Sequence, residues 1–213
     1  MRSISSKYCR WTLFLCVLIA SVSGAYFYRH ATIAPPKIDG VYLSVPSDIP
    51  DFHFTDNKNH TFSKENLKNH WTFLFFGFTN CGFVCPSTLT ELNKMMGLLE
   101  KKISASEMPQ IVFISVDPER DTISRLNSYL TAFNPQFIGL RGKESDTEAL
   151  EKELHIVAAK MESSQTGKKK NYTIDHTAEI LLVNPDGKLQ AYLSYPHTAS
   201  QMADDYKKIL GAA

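Results

Sequence analysis

Two cysteines, Cys81 and Cys85, have three residues between them and stand where an apolar run ends and a helix is predicted to begin. Residues 71–78 are apolar, rich in aromatics and too few for a buried helix, which is typical of a central β-strand. Pro86 favours a helix start, where unpaired N–H groups and the helix dipole stabilise thiolates. Two thiolates at this spacing can bind one soft metal ion or oxidise to a disulfide.

A metal site built on these cysteines needs a third ligand, and His176 is the candidate. It stands just before the apolar run 180–183, beside a loop that can fold over the end of the strand at 71–78. The alternative is an ordinary histidine at a strand edge. Two thiolates favour Cu(I), and with an imidazole they also hold Zn or Cu(II). The other histidines are predicted to lie at the surface, and they are His30, His53, His60, His70, His155 and His197.

The same cysteine pair could instead carry out thiol–disulfide exchange as an enzyme. Cys81 would be the exposed nucleophile and Cys85 the resolving thiol. Two intervening residues would be typical of a thioredoxin-type redox pair, whereas three leave more room to surround an ion. A peroxidase is disfavoured, because no single activated thiolate with a neighbouring arginine stands out. The residues alone therefore leave a metal carrier and a thiol–disulfide oxidoreductase open.

The patterns around these residues predict an α/β domain with a mixed sheet flanked by helices. Such sheets bind ligands beyond the carboxyl ends of their strands, which is where the cysteines lie. Strands are predicted at 71–78, 110–117, 137–141 and 156–161, and in a hairpin at 180–183 and 188–193. Helices are predicted from Pro86, after Asp121 or Thr122, after Ser145 or Asp146, and at 197–210.

Composition limits the possible functions. The chain has 213 residues, of which 43% are hydrophobic, enough for one domain with a substantial core. The formal net charge is +1, with four basic and no acidic residues in 1–30, so the remainder has 19 basic and 22 acidic residues. This slightly acidic body argues against a nucleic-acid partner. Cys9 and Cys16 belong to the apolar N-terminal region, so one cysteine pair remains for the domain, too few for a disulfide scaffold.

The N-terminal region resembles a membrane anchor. Residues 11–28 are almost wholly apolar, with Lys7 and Arg10 before them and Arg29 after them. A run of about 18 residues is at the lower end for crossing a bilayer, and the basic N-terminal side is expected to stay in the cytoplasm. Small residues at 21–25 would also suit a cleaved signal peptide. The predicted divisions are a cytoplasmic tail at 1–10, a transmembrane anchor at 11–28, a linker at 29–49 and the folded domain at 50–213.

Three ordered motifs resemble the Sco/SenC family. They are FFGFT followed by the two cysteines and proline at 75–86, SVDPERDT at 115–122, and DHT followed by NPDG at 175–187. Members of this family are membrane-anchored, thioredoxin-like copper proteins that assist assembly of the dinuclear copper centre of cytochrome c oxidase. The resemblance covers roughly residues 40–210, and three motifs in order are far more specific than any one of them.

The resemblance implies a copper-binding metallochaperone in which Cys81, Cys85 and His176 hold copper as Cu(I) or Cu(II). Such a protein delivers copper to the oxidase site or reduces its cysteines, so its partners would be an oxidase subunit, other periplasmic copper carriers or thiol proteins. Asp117 and Asp121 would support the site rather than bind metal. We expect a monomer in the bacterial inner membrane, crossing it once, with its domain facing the periplasm.

The sequence departs from the family pattern between the two cysteines. The family usually has proline and then an acidic residue after the first cysteine, and this chain has Gly82 and Phe83. Glycine is expected to loosen the loop, and phenylalanine removes a negative charge near the ion. The three ligands are unaffected, but copper affinity, reduction potential and choice of partner are expected to change.

Overall fold

The computed structural model describes residues 4–29, 35–162 and 172–212, and the chain divides into two compact units. The first unit, Met1–Pro35, contains helix α1, Ile4–Arg29. The predicted anchor at 11–28 falls within this helix. Across the described ranges, no helix meets the combined length and apolarity required to cross a membrane.

The second unit, Pro36–Ala213, contains the remaining described elements. Its strands are β1 Gly40–Asp48, β2 His53–Asp56, β3 Thr61–Ser63, β4 Thr72–Gly77, β5 Gln110–Ser115, β6 Ile138–Arg141, β7 Ala158–Glu162, β8 Tyr172–His176, β9 Ile180–Val183 and β10 Lys188–Leu193. Its α-helices are α2 Val84–Leu99, α3 Ile123–Thr131, α4 Glu144–Glu153 and α5 Ala199–Leu210, with 3₁₀ turns at Lys64–Leu67 and Ala105–Glu107. Eight strands form a mixed sheet in the order β1-β10-β9-β4-β5-β6-β2-β3.

Strand β4 lies at the centre of this sheet, parallel to β5 and antiparallel to β9. Phe75 of β4 stands opposite Phe113 of β5 and Ile180 of β9. Every residue of β4 is buried, as the continuous apolar run predicted. The ring of Phe73 packs edge-on against Tyr206 of α5, with centroids 5.4 Å apart, so the strand that leads to the cysteines is fixed in the core.

Most predicted elements are present. Strands β4, β5, β6, β9 and β10 match the predictions, and β7 begins two residues later than predicted. The closing helix α5 buries Met202, Tyr206 and Ile209 as expected. Helix α3 follows Thr122, whose hydroxyl accepts a hydrogen bond from the N–H of Arg125 at 3.2 Å. The predicted cap of α4 is wrong, because this helix begins directly after Lys143 and has Asp146 in its first turn.

The segment predicted as a linker at 29–49 contains strand β1. This strand pairs antiparallel with β10, with Gly40 opposite Leu193 and Tyr42 opposite Ala191. The register shifts between Tyr42 and Ser47, a stretch in which Pro46 cannot donate a ladder hydrogen bond. Because β1 is an edge strand and is largely exposed, its sequence has no clear apolar period. The folded domain therefore begins before residue 50.

Strands β7 and β8 form a separate two-stranded sheet, which we call the ribbon. Ala158 of β7 stands opposite His176 of β8, and Lys160 stands opposite Ile174. The connection between the two strands, residues 163–171, lies outside the described residues. The ribbon matters for function because the candidate ligand His176 is the last residue of β8.

Candidate metal centre

The two cysteines lie where β4 passes into α2. Cys81 is in the connecting loop and is partly exposed, whereas Cys85 is the second residue of α2 and is fully buried. The helix begins at Val84 rather than at Pro86, which still places the proline in the first turn, where backbone N–H groups have no partner within the helix. A Cβ on Gly77 would lie 2.9 Å from Cys85 Sγ, so any larger residue at position 77 would displace this sulfur.

His176 reaches the cysteines from the end of the ribbon. Its Nε2 lies 3.4 Å from Cys85 Sγ, and its Nδ1 lies 3.0 Å from the carbonyl oxygen of Thr177. Because a carbonyl oxygen only accepts hydrogen bonds, Nδ1 carries the proton and the lone pair of Nε2 faces the sulfur. The rings of Phe75 and Phe78 pack edge-on against the imidazole, with centroids 6.2 Å and 5.8 Å away.

The donor atoms of Cys81, Cys85 and His176 all lie within 4.8 Å of one another. They form the one such group of three or more His, Cys, Asp or Glu residues in the part of the chain that the structure describes. For zinc, sulfur ligands lie at ~2.3 Å and imidazole nitrogens at ~2.0 Å, so two ligands of one ion can be up to ~4.6 Å apart. The 4.8 Å limit on the group is only slightly larger than this spacing, so a small movement of the side chains would bring all three donor atoms onto one ion, and the two sulfurs favour a soft metal.

The two sulfurs differ strongly in acidity. The Cys85 thiol donates a hydrogen bond that, with smaller contributions from backbone N–H groups, lowers the pKa of Cys81 to about 3, although partial burial opposes it. The same hydrogen bond, together with burial and the adjacent thiolate charge, raises the pKa of Cys85. The backbone N–H of Cys85 also lies 3.4 Å from Cys81 Sγ. At neutral pH the pair consequently holds one proton, on Cys85.

Buried Asp121 supports the loop that carries Cys81. Its carboxylate accepts hydrogen bonds from the N–H of Thr79 at 3.1 Å, the Thr79 hydroxyl at 2.5 Å and the Ser115 hydroxyl at 2.7 Å. Asp117 is also buried and is ion-paired with Arg120. Neither aspartate belongs to the donor group found among the described residues.

The other histidines lie away from this group of donor atoms. His197 was predicted at the surface, but only 8% of it is exposed, and its Nε2 donates to the carbonyl oxygen of Ala178 at 2.8 Å. Its sequence neighbours, Pro196 and Thr198, gave no signal of burial. His30 lies outside the described residues. The histidines found exposed, as predicted, are His53, His60, His70 and His155.

The fold and the site together define a thioredoxin-like α/β protein with a Cys–Cys–His group beyond the end of its central strand. The model of the SCO1/SenC family matches residues 45–211. The chain therefore belongs to the SCO1/SenC family, as the three sequence motifs indicated.

Individual relatives agree with this assignment. The chain is 32% identical to the zebrafish (Danio rerio) mitochondrial protein SCO2 homolog over 157 residues, 74% of this chain but 55% of the relative. It is 36% identical to a protein of Stutzerimonas stutzeri named for copper binding, over 189 residues and 88% of each chain. The solved structure of Bradyrhizobium japonicum ScoI with copper bound has 31% identity and a TM-score of 0.66, covering 76% of this chain and 99% of that one. The chain thus spans little more than half of its mitochondrial relative.

Binding of Cu(I) at pH 7 is expected to release about one proton per ion, since Cys81 is already a thiolate and Cys85 must lose its proton. The affinity should therefore fall about tenfold as the pH is lowered from 8 to 7, above the range in which an imidazole ordinarily takes up a proton. A pH indicator in weakly buffered solution would count the protons, in a chain with Cys9→Ser and Cys16→Ser to remove other thiols. Release of two protons would show that Cys81 is a thiol in the metal-free chain.

Proposed function

We propose that this protein carries one copper ion, as Cu(I) or Cu(II), on Cys81, Cys85 and His176 and passes it to a copper-accepting protein. The observation that carries the proposal is the convergence of the two sulfurs and the imidazole nitrogen within 4.8 Å. Thiolates retain Cu(I), and the imidazole accommodates Cu(II) as well. Family membership and the copper-bound structure of a relative support copper over other soft metals.

The geometry suits transfer by exchange of ligands. Cys85 is held in the core, whereas Cys81 is partly exposed in a loop where a Cβ on Gly82 would meet nothing within 4 Å. A thiol, thioether or imidazole of a recipient can therefore approach the ion from the side of Cys81 and replace that ligand first. Phe83 is 71% exposed in the same loop and offers the recipient an apolar contact where the family usually has a charge.

The recipient that family membership favours is the subunit of cytochrome c oxidase that bears the dinuclear copper centre. Other periplasmic copper carriers and thiol proteins are alternative recipients. The described domain has a slightly acidic composition and a single cysteine pair, which suits a monomeric carrier. Because the chain spans 55% of the zebrafish relative, this assignment is an inference from the shared domain alone.

Removal of any one ligand is expected to abolish tight copper binding. Competition against a Cu(I) chelator, in the chain with Cys9→Ser and Cys16→Ser, would compare Cys81→Ser, Cys85→Ser and His176→Ala. Each should weaken the affinity by more than about 100-fold, since loss of an outer-shell group alone costs ~10–100-fold. His70→Ala is the matched control because this histidine is exposed and outside the donor group. Stoichiometric copper retained by His176→Ala would reject His176 as a ligand.

We also propose that residues 11–28 anchor the protein in the bacterial inner membrane, with the domain facing the periplasm. The support is the apolar run flanked by basic residues, Lys7 and Arg10 on one side and Arg29 on the other. A copper carrier on the periplasmic side would face the compartment in which its proposed recipient is assembled.

Extraction of membranes at alkaline pH tests the anchor. The full chain should stay in the membrane pellet, because a spanning helix is held by its buried apolar surface. A chain that lacks residues 1–35, the first compact unit, should pass into the supernatant. Full-length chain in the supernatant, or a mature protein whose mass shows cleavage after residues 21–25, would contradict a retained anchor.

A second function, reduction of disulfides, is favoured by the partly exposed thiolate of Cys81, whose pKa is lowered to about 3. This thiolate would attack a target disulfide, forming a mixed disulfide and releasing one target thiolate. Cys85 would then lose its proton and attack Cys81 Sγ, releasing the second target thiolate. The target gains two electrons, and the chain is left with a Cys81–Cys85 disulfide. The two functions are compatible, since only the reduced form binds copper.

The thiolate state of Cys81 can be measured by alkylation. The rate at which iodoacetamide modifies Cys81 should stay nearly constant from pH 5 to pH 8, because the sulfur is ionised throughout. Cys85 should stay unmodified because it is buried. A free cysteine peptide, with a pKa of about 8.5, should react about tenfold faster with each added pH unit below that value. The same steep rise for Cys81, resolved by peptide mass spectrometry, would refute the activated nucleophile.

A further inference from the structure

The ribbon that carries His176 is held to the domain by few polar contacts in the described part of the chain. Val157 and Thr177 exchange hydrogen bonds at 2.8 Å and 2.9 Å. These bonds join the residue before β7 to the residue after β8, so they do not attach the ribbon to the rest of the domain. An ion pair joins Lys160 of β7 to Glu144 of α4, and both side chains are well exposed, so its contribution is small. Apart from the contact of His176 with Cys85 at the end of β8, the remaining polar attachment in these described strands is at the start of β8.

Three residues form this attachment, and we call Asp117, Arg120 and Tyr172 the clamp. Arg120 Nε is ion-paired with Asp117, and Arg120 Nη1 donates to the carbonyl oxygen of Tyr172 at 2.8 Å. The guanidinium carbon lies 3.7 Å from the centre of the Tyr172 ring, close enough for a cation–π interaction. The Tyr172 hydroxyl donates to Asp117 Oδ1 at 2.6 Å, so each member contacts the other two.

The clamp also reaches the imidazole through an aromatic ring. The guanidinium carbon of Arg120 lies 5.9 Å from the centre of the Phe78 ring, and the same ring packs edge-on against His176. Tyr172 and His176 are both on β8, four residues apart, so their side chains leave the same face of the strand. Arg120 therefore contacts the strand that carries His176 as well as one wall of the space in which the imidazole lies.

We propose that Asp117, Arg120 and Tyr172 are positioning residues for the copper ligand His176. The clamp fixes the ribbon so that the lone pair of His176 Nε2 stays beside the two sulfurs before the ion arrives. Without the clamp, the ribbon occupies this place for only part of the time, and the apparent affinity falls in proportion to that fraction. This inference rests on the proposed copper function of the site.

The experiment compares Arg120→Met, which keeps length but loses charge and donors, with Lys160→Met, which removes the other polar link of the ribbon. Cu(I) affinity is measured by competition in the chain with Cys9→Ser and Cys16→Ser, with and without His176→Ala. Arg120→Met should weaken binding about 10–100-fold when His176 is present. In the His176→Ala chain, measured against a weaker chelator, Arg120→Met should change the affinity for Cu(I) less than about twofold. The reason is that substitutions of residues that act through the same interaction have non-additive effects. Lys160→Met should change the Cu(I) affinity little in either chain, because it removes only an exposed ion pair with Glu144 and a long contact, 5.4 Å, between Lys160 Nζ and the centre of the Tyr172 ring.

A second measurement needs no metal. Phe75 and Phe78 lie edge-on to the imidazole, so their ring currents shift the proton resonances of His176 away from those of exposed histidines. Arg120→Met should move these resonances toward the values of the exposed His70, and Lys160→Met should leave them in place. Tyr172→Phe keeps the ring but loses the bond to Asp117, and it should produce a smaller shift in the same direction.

Two outcomes would overturn the positioning role. One is equal loss of copper affinity with and without His176, which would mean a general structural effect. The other is unchanged His176 resonances in folded Arg120→Met protein. If that variant does not fold, as judged by its thermal transition, Tyr172→Phe decides by the same two criteria. If the parent chain binds no copper, the proposed function fails, and the imidazole resonances still decide whether the clamp positions His176.

Discussion

The close approach of the buried sulfur of Cys85 to the partly exposed sulfur of Cys81 is the constraint on which the site depends. It exists because α2 begins two residues before Pro86, which places Cys85 inside the domain with its sulfur against Gly77. With the thiol of Cys85 buried, Cys81 at the surface becomes the ionised partner. The asymmetry between a buried, protonated sulfur and an accessible thiolate therefore follows from where the helix starts. It is also what makes both copper transfer and disulfide exchange chemically reasonable.

The central strands and the importance of the cysteine pair could be predicted from the sequence. Runs such as 73–78 and 111–114 contain no polar side chain, and they are too short for a buried helix, which favours buried strands. Strand β1 was missed because most residues of this edge strand are exposed to solvent and show no apolar period. In addition, a proline such as Pro46 is typical of the end of a strand. A local pattern could not reveal β1, because the pairing that stabilises this strand comes from β10, far away in the chain.

The candidate third ligand shows a different limit. Cys85 and His176 are 91 positions apart, and their contact requires the ribbon to be placed over the end of β4. Spacing and polarity could nominate His176, and the resemblance to a family singled it out from the other histidines. The same reasoning from spacing and polarity wrongly placed His197 at the surface. The contact between Arg120 and Tyr172, 52 positions apart, left no pattern in the sequence for the same reason. A strand that pairs only with its immediate neighbour must be attached by side chains, and side-chain attachment is what sequence patterns report least.

The single proton on the cysteine pair has an electrostatic consequence. The metal-free site carries one negative charge, from the thiolate of Cys81. When Cu(I) displaces the proton of Cys85, one monovalent cation replaces another, and the charge of the site does not change. With Cu(II) the same ligands form a neutral site. A docking protein that senses charge would therefore not distinguish the metal-free carrier from the carrier loaded with Cu(I). It would distinguish both of these from the carrier that holds Cu(II), because that site is neutral.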